Sequence, residues 1–125
     1  MNTNEKGDMA LGAAISWFTA HNYTVCIPLT ESQDYDLIVE DKEKQILFKV
    51  EVKYSSYKRF GSYIVSLQSS SLRSGGGSVN KDLDTNRFDF LFIMSGDNCK
   101  YLIPSSDVKT KKKLTLSKYK EWMVN

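Results

Sequence analysis

Residues 45–54 read Gln-Ile-Leu-Phe-Lys-Val-Glu-Val-Lys-Tyr, and this alternation ties the chain to a sheet with two unlike faces. A β-strand turns successive side chains to opposite sides. Ile46, Phe48, Val50 and Val52 therefore share one face, expected to be core, while Leu47, Lys49, Glu51 and Lys53 share the other. Charges on a strand backed by a core face either water or a ligand.

The rest of the chain supplies partners for that strand. Leu11, Ala14, Ile15, Trp17 and Phe18 recur at helical spacing behind Thr3 or Asn4 as N-cap, which predicts a helix over 5–21 ending at His21 and Asn22. The β-branched and aromatic run 23–27 stops at Pro28 and predicts a strand; 35–40 predicts a second, joined to 45–54 by a turn at 41–44. A further strand is expected over 62–67. Residues 68–86, rich in Ser and Gly, are expected to form a loop acting as lid or substrate-contacting flap. The apolar run 88–94 predicts a buried strand, and 100–103 its hairpin partner across the turn 95–98. Tyr119, Trp122 and Met123 predict a short terminal helix within 114–124. One helix, a run of antiparallel strands, a loop, further strands and a short helix amount to an α/β (α+β) domain around a central sheet.

A chain of 125 residues, 41% hydrophobic and 26% charged, fits one self-folding domain over 1–125. The net charge of +2 neither demands nor excludes a polyanionic partner; the placement of Lys and Arg decides that. Cys26 and Cys99 are two isolated cysteines without CxxC spacing and read as reduced and structural. The apolar stretch 9–20 is too short to span a membrane and lacks a cleavage pattern, so a soluble, cytoplasmic protein is expected. His21 is the only histidine, which excludes multi-histidine catalytic and zinc sites.

Glu51 and Lys53 emerge on one face about 7 Å apart along the strand. An antiparallel neighbour can bring Asp36 beside them. Two carboxylates and an ammonium on a mostly apolar sheet are expensive, because each loses hydration and the acids repel. Mg²⁺ offsets that cost, held by Asp36, Glu51 and the backbone carbonyl of Val52, together with waters and phosphate oxygens. Lys53 then steadies the attacking hydroxide or the charge developing on phosphorus. On spacing alone, alternating charges on a strand more often describe a solvated sheet face. Glu31, on the connector, reads as an exposed loop carboxylate.

Asp36, followed across a hairpin by Glu51-Val52-Lys53, resembles the signature of the PD-(D/E)xK nuclease superfamily. Lys6-Gly7-Asp8, Val25-Cys26-Ile27-Pro28, Thr30-Glu31, Tyr35-Asp36-Leu37, Val50-Glu51-Val52-Lys53-Tyr54 and Lys100-Tyr101-Leu102-Ile103-Pro104 resemble, in order, the group I intron-associated homing endonucleases of that superfamily. The resemblance implies a restriction-endonuclease-like fold, a central mixed β-sheet flanked by helices. It also implies site-specific cleavage of double-stranded DNA with Mg²⁺, for which Mn²⁺ substitutes, by a homodimer or homotetramer. Many relatives have Gln where Glu51 stands, and Tyr35 occupies the place of the superfamily's proline. Some relatives carry a Glu in the first helix near the position of Leu11; Asp8, one turn earlier, is a candidate replacement or a plain helix N-terminal acid.

Candidate DNA contacts are Lys58 and Arg59 after the catalytic strand, Arg73 and Lys81 in the Ser/Gly loop, Arg87, and the lysines of 109–113. Three other functions compete: a Holliday junction resolvase with the same site, a non-catalytic DNA-binding module, and an interaction domain indifferent to nucleic acid.

Overall fold

The computed structural model describes residues 1–72 and 75–125, so Arg73 lies outside the described residues. Helix α1 spans Thr3–Ala20. It opens two residues earlier than the apolar spacing indicates because Asn2, not Thr3 or Asn4, caps it. The Asn2 side chain accepts from the Glu5 amide at 2.9 Å, and the Glu5 carboxylate accepts from the Asn2 amide in return. At the other end His21 caps the helix and stacks on Trp17, and Asn22, with φ 68°, reverses the chain.

Strands β1 (Tyr23–Cys26), β2 (Leu37–Asp41) and β3 (Ile46–Ser55) form a meander. The Asp41 carboxylate stops the β2–β3 turn by accepting from the amides of Glu43 and Lys44. After β3 come β4 (Lys58–Arg59), β5 (Ser62–Ser66), β6 (Ser69–Leu72) and β7 (Ser78–Lys81). Then follow β8 (Phe90–Ser95), β9 (Lys100–Pro104), β10 (Lys113–Thr115) and β11 (Met123–Val124). The stretch 68–86, expected as a loop, is largely a two-stranded ribbon: β6 pairs β7 from Ser69↔Lys81 to Leu72↔Ser78.

The central sheet runs β1-β2-β3-β8-β9-β11. It is a mixed sheet. The expected run of antiparallel strands is broken at its centre, where β3 and β8 lie parallel with Glu51 opposite Leu91. Parallel neighbours need a long crossover, and residues 56–89 supply it as hairpins rather than as a helix.

Each face of the sheet has its own core. Ala14 and Phe18 of α1 pack on Leu37, Val39, Val50 and Phe92. On the opposite face, Leu91, Ile93, Tyr101 and Ile103 meet Val65, Leu67, Leu114, Leu116 and Tyr119. Burying a side chain such as Phe92 completely contributes about 3 kcal/mol.

The expected terminal helix is instead a 3-10 segment, Leu116–Trp122, kinked at Tyr119. β10 is taken up by β5 and β11 by β9, and the seven residues between them suit short 3-10 turns. Cys26 is exposed on the edge strand rather than buried, and both cysteines are free. No helix among the described residues is long and apolar enough to cross a membrane.

Candidate active site

The β2–β3 register places Leu37 opposite Val50, and the ladder runs one residue past β2, with the Asp36 amide donating to the Val50 carbonyl at 2.9 Å. Asp36 therefore stands across from Glu51, on the face away from α1. Its carboxylate oxygen Oδ2 accepts from the Val52 amide at 2.7 Å, which pins the side chain against β3. A strand residue's N–H and C=O leave on the same edge, so the Val52 carbonyl also emerges on the side of Asp36.

Glu51 and Lys53 are both half-buried and line a cleft of about 170 Å³. Its floor is apolar, from Leu67 and Phe88; its rim is Gln33, Asp34, Ser69 and Lys81 with Asp82 to Asp84. The Glu51 carboxyl is pushed from its ordinary 4.5 to about 8. Loss of water around it is the main cause, followed by the hydrogen bond and negative charge of Asp36; Lys53 pulls the other way and Asp34 adds a little. Two acids held together in a poorly hydrated cleft are compensated only in part by Lys53. The donors are all oxygen, which matches a hard divalent cation. No cluster of three or more His, Cys, Asp or Glu side chains occurs among the described residues, so such a cation would take its remaining ligands from backbone, water and substrate.

The structure thus brings Asp36, Glu51, Lys53 and the Val52 backbone together. Asp8 stands exposed on α1, and α1 covers the Val50 and Val52 face of the sheet. Glu31 is exposed on the connector. Lys58 and Arg59 sit exposed in a hairpin just beyond β3. Lys81 and Arg87 flank the cleft with their charges partnered: Lys81 meets Asp34 at 3.9 Å, while Arg87 meets Asp34 at 3.5 Å and Asp84 at 3.7 Å. These pairs are exposed, so each contributes at most about 1 kcal/mol and yields readily to another anion. The lysine segment runs beside the cleft wall, with the Lys111 carbonyl accepting from Leu83 and the Lys112 carbonyl from Leu67.

Asp34 is the residue that sequence reasoning passed over. It lines the cleft, acts on Glu51 and gathers two cations. The signal available was only its closeness in sequence to Asp36, since both lie in the bent connector before β2.

A family model described as PD-(D/E)XK endonuclease matches residues 1–121. Among solved structures, the chain is similar to a bacterial homing endonuclease, I-Ssp6803I, at 27% identity and a TM-score of 0.77, over 93% of this chain and 78% of that one. No curated protein matches the chain.

Proposed function

The chain belongs to the PD-(D/E)XK endonuclease family, and from that premise we propose that it cuts double-stranded DNA at specific sites with Mg²⁺. The observation carrying this reading is the Asp36 and Glu51 pair, held face to face beside Lys53 in a cleft with an apolar floor. Asp36, Glu51 and the Val52 carbonyl are the groups that would hold the cation, with Mn²⁺ as a substitute. When bound, the metal supplies an activated water at neutral pH and neutralises charge on the scissile phosphate.

The chain's own residues do the rest. The bond from the Val52 amide fixes the Asp36 carboxylate before substrate arrives, so no reorientation is needed. Lys53, on the same side of β3 as Glu51, places its ammonium beside the phosphate and stabilises the charge that builds there. Leu67 and Phe88 exclude water beneath the acids and strengthen these interactions. Lys81 and Arg87 exchange Asp34 for backbone phosphates as DNA enters. Likeness to a homing endonuclease supports site-specific cutting, and cleavage of both strands calls for a homodimer or homotetramer.

The test is incubation with diverse duplex DNA and Mg²⁺, followed by mapping of the cut ends. Recurrent ends at one sequence are expected, and they vanish in Glu51→Ala and Lys53→Ala while DNA affinity stays close to wild type. Cutting by either variant at the wild-type rate refutes the site. Cleavage of a four-way junction regardless of sequence identifies a resolvase instead.

A further inference from the structure

Four residues other than glycine among those described have positive φ: Asn22, Gln45, Phe60 and Asn98. Asparagine tolerates that region, whereas a bulky aromatic adopts it at a cost. Phe60, with φ 53°, and Gly61, with φ 77°, form the two-residue tip of the β4–β5 hairpin, where Arg59 pairs with Ser62 and Lys58 with Tyr63. Two successive positive φ values define a type I′ turn, whose preferred first residue is Asn, Asp or Gly. Phe60 is also 95% exposed. The position therefore bears two costs, a strained backbone and a solvated ring, against which the exposed Arg59 guanidinium over the ring offers little.

The surroundings indicate what does. Lys58 and Arg59 are exposed on the same hairpin, the Arg59 guanidinium lies 5.2 Å from the Phe60 ring, and Tyr57 is 62% exposed. The shallow surface beside the ring is formed by Arg59, Ser62, Ile64, Thr115 and Ser117, with no acid among them. An exposed ring with the Arg59 guanidinium against it, and Lys58 over Tyr63 on the same hairpin, suits a polyanion that also presents apolar flat faces. From Leu67 at the cleft to the tip is six residues of strand, about 20 Å, or roughly six base pairs of duplex at 3.4 Å each.

We propose that the β4–β5 hairpin is a DNA-distorting element: Phe60 inserts as a wedge between two base pairs on the duplex held in the cleft, while Lys58 and Arg59 bind the flanking phosphates. This rests on the nuclease reading and adds to it a residue that acts by unstacking DNA. Such wedges open a base step and kink the helix, giving preference for sequences that deform easily.

The experiment compares wild type, Phe60→Asn and Phe60→Trp with Ca²⁺ in place of Mg²⁺. The probe is a 30-base-pair mixed-sequence duplex bearing 2-aminopurine, either fully paired or with one mismatch beside the reporter. Wild type is expected to bind the mismatched duplex at least fivefold more tightly and to raise 2-aminopurine emission. Phe60→Trp keeps both effects. Phe60→Asn loses both and melts no lower than wild type, since Asn suits the turn, and its salt dependence of binding is unchanged because no phosphate contact is removed.

Equal behaviour of Phe60→Asn and wild type overturns the wedge, as does a Phe60→Trp variant as defective as Phe60→Asn. A lower association state of Phe60→Asn in sedimentation, with the loss of binding restored at high protein concentration, overturns it in favour of a contact between copies of the chain. Mg²⁺-dependent cutting by wild type, absent in Glu51→Ala, is measured in parallel. If wild type neither cuts nor binds, the nuclease reading itself has failed.

Discussion

The two sides of β3 solve opposite problems with alternate residues of one strand. Val50 is fully buried and, with Val52, packs under α1 against Phe18 and Phe92, where all that is required is volume and dryness. Glu51 and Lys53, one residue away in each case, lie half-buried at a cleft where dryness is a burden. The stable face supports the costly one: the buried valines anchor the strand that holds Glu51 against Asp36. Stability and chemistry are separated here by a single rotation of the backbone, which is how a chain of 125 residues carries both.

Substitutions on the two sides should therefore fail differently. On the charged side, Glu51→Ala or Lys53→Ala is expected to lower the cleavage rate a thousandfold or more, about 4 kcal/mol of transition-state stabilisation, with an unchanged circular dichroism spectrum. On the dry side, Phe92→Ala should cost about 3 to 5 kcal/mol in urea unfolding through the cavity it leaves. Its cleavage rate, measured well below the melting temperature, should stay within a few fold of wild type.

The comparison sharpens with pH. The folded-state Glu51 carboxyl lies at about 8 against an ordinary 4.5, so its contribution to stability is complete below the lower value and is lost as pH rises through the upper one. Without divalent cation the urea midpoint should fall between these limits by the equivalent of a few kcal/mol. Glu51→Gln should flatten that fall, and Mg²⁺ should recover it at pH 8 by binding the ionised form. The smallest effect belongs to neither face: Asn2→Ala, at the N-cap of α1, should cost about 1 kcal/mol with no change in cutting.

Alternation in 45–54 made β3 and its two faces legible, and hairpin logic brought Asp36 to Glu51, because both depend on local geometry alone. The parallel pairing of β3 with β8 was not legible, since no local signal distinguishes a hairpin return from a crossover. The ribbon formed by β6 and β7 was hidden by composition: serine and glycine have low strand propensity, and Ser69↔Lys81 pairing is a property of the pair. The terminal helix failed for a related reason, as Lys113–Thr115 and Met123–Val124 are taken up by distant strands. At the site, Asp34 was hidden by its exposure on a connector and revealed by Lys81 and Arg87, residues remote in sequence.

The crossover also has a kinetic meaning. β3 gains its first neighbour across a tight turn, closed by Asp41, and its second only after residues 56–89 have been looped out. Closing a loop of that size is an entropic toll levied before any reward, so the seam between β3 and β8 is expected to zip late. Until it does, Glu51 and Lys53 stand on a strand with one bare edge, and the wall that Phe88 gives the cleft is not yet in place.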